Sequence, residues 1–446
     1  MSGLPLILIV LLGLVLMVLG ITKLKMHPFI VLLLTAYFIG ILTFMPVSEI
    51  VGTMTEGFGG IMANIGIVII AGTIIGTILE KTGAALTMAN TILGIFGKDR
   101  SVLTMSITGY VVSIPVFCDS GFVILSPLSR AIAEKSKVSL AVTATALSSG
   151  LYATHCLVPP TPGPIYMAAA LKANLGMVII FGLIVSIPAL ISGWIYAKKV
   201  ASKYDIAPNP EETMDSLLEK YGSLPKPLES FAPILLPIIL IAFKSIADFP
   251  SAPLGEGALR SFLNFIGDPV TALIIGVFLA IRLINSNYKD KTFDWVQDGI
   301  INAGMILAIT GAGGALGAIL RSLPLADAVS GFLLEYHVGL LLPFILAALL
   351  KTAMGASTVA MVTVAAMIAP LMGDLGLTSE VAKVLTVLAM GAGSMTVSHA
   401  NDSYFWVVAK FSDMDTSTAY KTQTGVTLVE GIVSIVTIYI LAAIFI

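Results

Sequence analysis

The sequence predicts an all-α polytopic membrane protein built from two inverted-topology repeats, each with a re-entrant hairpin and a broken transmembrane helix. Three observations predict it. First, 57% of the 446 residues are hydrophobic and 11% are charged, against about 25% charged in soluble domains. Second, the apolar runs are about 20 residues long, the length of a membrane-spanning helix and not the roughly ten-residue alternation of a barrel strand. Third, matching stretches recur in the two halves at a near-constant offset.

The chain carries 24 basic and 26 acidic residues, and its mean hydropathy is +0.99. That is too little charge to coat a water-soluble surface of this size. A soluble enzyme and a disordered chain are excluded. A nucleic-acid binder is excluded too, in agreement with a pI of about 6.1. Two cysteines, Cys118 and Cys156, with no CxxC spacing, argue against a disulfide framework or a structural zinc. No metal and no cofactor are expected. Residues 1–22 lack a basic leader region and a small-residue cleavage site, so they read as a retained first helix.

Basic loops mark the cytoplasm. Lys23 and Lys25 follow the first helix. Lys98 and Arg100 follow the third apolar segment, near 62–79, and Arg130, Lys135 and Lys137 close the next. Lys198, Lys199 and Lys203 follow 176–197, and Lys289 and Lys291 follow 269–286. The segment with Glu49 and Glu56 has no Lys or Arg and belongs outside. Both termini are therefore expected outside. Residues 205–230, rich in Asp, Glu and Pro, form a cytoplasmic linker between repeat 1 (1–204) and repeat 2 (231–446).

The stretch from His27 pairs with that from Asp268 at an offset of 241. Ser126 pairs with Ala369, and Ala146 with Ala389, at 243. The loop charges give the paired segments opposite directions. That is the sequence mark of secondary transporters, whose substrate site lies near the midplane where the halves meet.

Four places interrupt the apolar pattern. SIPVFCDSGFVIL (113–125) lies in a stretch with basic edges at both ends, which predicts a hairpin over about 101–130 with Asp119 and Ser120 near its tip. ATHCLVPPTPGP (153–164) contains four prolines that cannot continue a helix. It breaks the span at about 139–171 and carries His155 and Thr161. KTAMGASTVAMVT (351–363) places Ser357 and Thr358 in a second hairpin, about 338–371. GSMTVSHANDSYFW (393–406) breaks the span at about 379–411 and carries His399, Asn401 and Asp402. Non-helical backbone at this depth is tolerated only where it lines a cavity or is buried in protein.

Asp119 and Asp402 read either as structural caps or as proton carriers, since an ionisable group in a span is functional by default. Lys351 is the one basic side chain near a hairpin tip, deeper than a snorkelling lysine starts. It reads as charge balance for Asp119 or Asp402, or as an attractor of substrate. Cys118 and Cys156 read as small apolar fillers. TGAGGALG (310–317) has no βαβ context and reads as close helix packing.

FCDSGFVIL, THCLVPPTPGP, GASTVA and SHANDSYFW resemble the signatures of the gluconate permease (GntP) family, over essentially the whole chain. The resemblance implies inner-membrane, proton-coupled uptake of small hydroxy acids such as gluconate. It also implies the fold of the wider ion-transporter superfamily and an elevator-type motion. Many gluconate transporters of the family carry an aromatic residue and Glu where this chain has Cys118 and Asp119, and often His where it has Thr161. Members also take other sugar acids, and some take D-serine.

The expectation is a symporter, not an enzyme, for a small hydroxylated organic anion and protons, working in the bilayer as a homo-oligomer, a dimer. Ser120, Ser357 and Thr358 would meet the carboxylate together with backbone N–H groups. His155, Thr161, His399 and Asn401 would read substrate hydroxyls, and Asp119 or Asp402 would carry the proton. Sodium coupling through an oxygen cage at Asp402 stays open. A channel fits less well, since nothing resembles a filter built from repeated subunits. An intramembrane enzyme using Cys118, Asp119 and His155 is the rival from a different class.

Overall fold

The computed structural model describes residues 4–97, 100–114, 116–208, 223–247, 257–284, 286–324, 339–400 and 402–446. All regular structure among them is helical. The first spans are α1 (Leu4–Thr22) and α2 (Pro28–Leu42), followed by α3 (Val47–Lys81). His27 caps α2 by accepting from the Phe29 N–H, with Pro28 at the first helical position, where its missing donor costs nothing.

α3 differs from expectation. It starts at Val47, so Glu49 and Glu56 lie on its exposed first turns and not in a loop. Its 35 residues run about 52 Å, longer than the ~30 Å hydrocarbon core, so it crosses with tilt or projects beyond it. The glycine-rich stretch 57–60 does not break the helix, and at Gly57 a neighbour comes close. A Cβ on Gly57 would sit 2.5 Å from the Gly314 carbonyl oxygen, and one on Gly314 would sit 2.6 Å from that of Gly57. Gly314 belongs to α13 (Thr292–Arg321), which packs along α3. TGAGGALG is thus a helix-crossing site, as its sequence suggested.

After Lys81 comes α4 (Ala84–Phe96), a helix the sequence reading did not separate from its neighbours. The first interrupted pair follows. α5 (Ser101–Val112) ends in a turn, and α6 (Cys118–Ser136) returns. α7 (Leu140–Leu157) and α8 (Pro162–Ala170) flank the proline run, whose Pro159–Pro160 peptide is cis. α9 (Leu175–Lys199) completes the half.

The second half also contains two interrupted helix pairs and a long closing helix. α10 (Pro227–Ala247) begins inside the expected linker, most of which lies outside the described residues. α11 (Ala258–Ile266) and α12 (Pro269–Ile281) are bent by 60° at their junction. After α13 come an interrupted pair, α14 (Leu341–Met354) and α15 (Ser357–Ile368), and a second, α16 (Glu380–Met395) and α17 (Ser403–Phe411). α18 (Thr416–Phe445) contains a π turn at Tyr420–Thr424.

Two packed groups result. α2, α3, α12 and α13 pack together, with α10 against α12. α5, α6, α7 and α9 form the second group with α14, α16 and α18, and α7 is its centre, buried at every residue. Glycine allows a close backbone contact in this group. A Cβ on Gly150 would fall 2.0 Å from the Ser106 carbonyl oxygen, and one on Gly109 would fall 2.4 Å from that of Leu147. α5 therefore meets α7 backbone to backbone, and Thr154 Oγ1 donates to the Tyr110 carbonyl at 3.0 Å. This contact brings the turn of the first hairpin onto the break after α7.

Candidate functional site

Four helices begin at the four interruptions. Asp119 lies in the first turn of α6, and Thr161 precedes α8. Ser357 opens α15. Asp402 caps α17, its Oδ1 accepting from the Tyr404 N–H at 3.1 Å. Each start leaves backbone N–H groups without intrahelical partners and the positive end of a helix dipole, a setting that favours anions.

At the centre is an ion pair. Lys351 Nζ lies 2.6 Å from Asp402 Oδ2, and the two side chains are 1% and 5% exposed. The geometry has local causes. Gly355 takes a left-handed φ of +81°, ends α14 and turns its carbonyl back, so that it accepts from Lys351 Nζ at 2.6 Å. On the other side, Ser398 Oγ donates to Asp402 Oδ2 at 2.5 Å. α18 holds this loop, since Thr427 Oγ1 accepts from the Ser398 N–H at 3.0 Å and Thr424 Oγ1 donates to the Ser398 carbonyl. Asp402 thus accepts bonds at both oxygens, as a buried charged pair requires.

Aromatic rings connect this pair to the first half. Lys351 Nζ lies 5.8 Å from the Tyr152 ring centroid, within cation–π range. Tyr152 stacks on His155, with centroids 6.2 Å apart and planes 7° apart, and on Tyr404 at 5.1 Å. His155 also faces Phe117 of the first hairpin turn at 6.1 Å. Ser357 of the second hairpin faces the Tyr152 hydroxyl and the Cys156 thiol. Asp119 is close enough for both Lys351 and Asp402 to act on it electrostatically.

The structure therefore brings Asp119, His155, Lys351, Ser357 and Asp402 into one cluster. Its remaining polar atoms are poorly satisfied. Asp119 Oδ1 and His155 Nδ1 are buried without a hydrogen-bond partner among the described residues. Buried polar atoms are normally paired, and exceptions call for a reason such as a ligand or water.

The other expected residues lie around this cluster. His399 is a latch: its Nε2–H donates to the Thr352 carbonyl at 2.9 Å and ties the second break to α14. Thr161 is buried, donates to the Val158 carbonyl at 2.8 Å, and lines a small cavity with Phe117, Gly72 and Thr73. Ser120 and Thr358 are half-buried in the first turns of α6 and α15. Asn401 lies outside the described residues. Cys118 and Cys156 are free and buried, packed among the core residues. An apolar cavity lined by Val68, Ile75, Pro159, Pro160, Ile234 and Leu273 lies against the proline run. No group of three or more His, Cys, Asp or Glu converges on a metal position among the described residues.

The sequence reading missed Tyr152, which joins the two halves, although its place one turn before His155 was a usable signal. It also missed Glu430, fully buried in α18.

Comparison with known proteins identifies the chain. The GntP family permease description matches residues 5–444. The chain belongs to the GntP permease family. A gluconate permease of Pseudomonas aeruginosa is 33% identical over 446 residues, covering 98% of this chain and 96% of the relative. The D-serine transporter DsdX of Escherichia coli K12 is 33% identical over 437 residues, covering 97% of each chain. Among solved structures, the YdaH transporter of Alcanivorax borkumensis superposes with a TM-score of 0.62 at 15% identity, covering 90% of each chain, and so shares the fold. This GntP permease is a multi-pass inner-membrane transporter and not an enzyme.

Proposed function

We propose that this permease is a proton-coupled symporter of a small hydroxylated organic anion, a gluconate-type sugar acid or hydroxy acid. The observation that carries the reading is the buried Lys351–Asp402 pair at 2.6 Å. In the empty carrier the two charges neutralise each other. A proton on Asp402 removes its charge and frees the Lys351 ammonium. The substrate carboxylate then pairs with Lys351, aided by Ser357, Thr358, Ser120 and the N–H groups that open α6 and α15. His155, Thr161, His399 and Asn401 read its hydroxyls.

This arrangement makes coupling obligatory. Substrate without the proton would bury a second anion beside Asp402. The proton without substrate would leave Lys351 buried and unpaired, which costs several kcal/mol, roughly 3–5. The empty carrier and the carrier with both ligands are the balanced states. One proton with one monoanion leaves the net charge unchanged.

The recurring interrupted pairs support two inverted repeats, 1–204 and 231–446, joined by the linker 205–230. The hairpins are α5–α6 and α14–α15, and the broken helices are α7–α8 and α16–α17. The two packed groups support an elevator in which the group around α7 moves against the group around α3. Both termini lie outside, and the carrier works as a dimer.

One observation favours a second reading. Asp119 Oδ1 is buried without a partner, a position for a substrate ammonium, and one relative is named as a D-serine transporter.

Purified protein in proteoliposomes tests both readings with gluconate, related sugar acids and D-serine under imposed gradients. Acid outside is expected to drive uptake of a hydroxy-acid anion without sodium. Uptake that requires sodium and ignores the pH gradient overturns the proton reading. Accumulation of D-serine, with no uptake of the anions, selects the second reading.

A further inference from the structure

Glu430 lies in α18 with no exposed surface, the one buried glutamate among the described residues. Neither carboxylate oxygen has a hydrogen-bond partner there. Its place is a three-helix seam. A Cβ added to Gly193 of α9 would lie 2.6 Å from Glu430 Oε1 and 2.6 Å from Ser149 Oγ of α7. The absent side chain at Gly193 is what leaves room for the carboxylate.

The groups around the seam are of limited kinds. Among the described residues, the titratable side chains close enough to interact with Glu430 are Cys156 of α7 and Tyr404 of α17. α9 contributes Gly193, while α16 turns Thr396 and Met395 towards α18. No cationic side chain among the described residues acts on Glu430. Lys421, on the same helix, lies over the Tyr204 ring at 5.7 Å. An ionised carboxylate in such a seam would have no counter-charge among the described residues and no hydrogen bond, since Ser149 Oγ donates to the Ala146 carbonyl, and burying it so is strongly unfavourable. The neutral acid fits without that penalty.

We infer that Glu430 is a proton-binding site of this carrier, occupied in the conformation described here, and that loss of its proton opens the seam between α7, α9 and α18. Glu430 lies one turn beyond Thr427, which with Thr424 holds Ser398 and through it Asp402. The seam is therefore mechanically linked to the Lys351–Asp402 pair. The inference goes beyond the coupling reading and depends on neither the substrate nor the coupling ion.

The test uses the full-length protein in lipid nanodiscs, without substrate or ion gradient. Infrared spectra are recorded from mildly acidic to alkaline pH on wild-type protein with and without 13C-carboxyl glutamate. A protonated-carboxyl band that shifts with the label and disappears at alkaline pH is expected, and Glu430→Gln should lack it. Hydrogen exchange of amides 423–434, corrected for intrinsic rate, should rise severalfold at alkaline pH in wild type and stay flat in Glu430→Gln. If Glu430→Gln folds poorly, Glu430→Asp assigns the band, because it takes the carboxyl out of the labelled set and the band loses its label shift. Absence of a label-sensitive carboxyl band, or exchange that does not rise with pH in wild type, overturns the inference. Both readouts are independent of transport, so their failure and a failure of pH-driven uptake are distinguishable.

Discussion

Lys351 and Asp402 are 51 residues apart in sequence, yet Nζ meets Oδ2 at 2.6 Å with 1% and 5% of the side chains exposed. The pair joins the end of α14 to the start of α17, so it ties the turn between α14 and α15 to the break between α16 and α17. A pair so buried contributes less to net stability than to specifying one arrangement, because desolvation offsets much of the attraction.

Removing one partner should therefore be worse than removing both. Lys351→Met is expected to destabilise the fold by about 3–5 kcal/mol, by stranding Asp402. Lys351→Met combined with Asp402→Asn should recover a large part of that loss and still not transport. Thermal unfolding in detergent, with uptake assays on the same preparations, checks this. A double variant no more stable than Lys351→Met would count against the stranded-charge explanation.

The two carboxylates should separate by phenotype. Asp402→Asn cannot be ionised, so it is expected to keep substrate-for-substrate exchange and lose pH-driven accumulation. Asp119→Asn should keep pH-driven accumulation of anions, and any uptake of an ammonium-bearing substrate should disappear. Normal pH-driven accumulation by Asp402→Asn, with its loss in Asp119→Asn, would move the proton to Asp119.

Binding should weaken at the hydroxyls without loss of folding. Ser357→Ala and Thr358→Val are each expected to cost about 1–3 kcal/mol in substrate affinity, the scale of an unpaired buried polar group. Tyr152→Leu removes the ring over which Lys351 lies and should cost about 0.5–2 kcal/mol through the cation–π contact. Substrate-induced thermal shift or calorimetry measures these losses, and unchanged affinity in all three variants would remove this cluster from the substrate site.

The helix crossing at Gly57 and Gly314 should be intolerant of bulk. Gly314→Ala places a Cβ 2.6 Å from a carbonyl oxygen, where no flexible side chain can yield. Overpacking of this kind costs about 1–3 kcal/mol, and Gly59→Ala, where a Cβ meets nothing within 4 Å, is the matched control. Equal thermal stability of the two variants would contradict the close crossing.

Much of the fold was legible because hydrophobic runs and prolines act locally. A proline run ends α7 wherever the chain places it, and an apolar run of about 20 residues predicts a span from composition alone. The four interruptions and the packing role of TGAGGALG were found in this way. Other features were not local. α3 takes Glu49, Glu56 and the glycines at 57–60 into one helix, and only tertiary structure reveals how closely α13 approaches it at Gly57. In the sequence alone Lys351 could balance Asp119 or Asp402. The left-handed turn at Gly355 and the loop held by Thr424 and Thr427 direct it to Asp402. Tyr152 and Glu430 lay unnoticed inside apolar runs, where a polar atom carries no pattern. What gives them meaning is which helices meet around them, and that is decided by the packing of segments hundreds of residues apart.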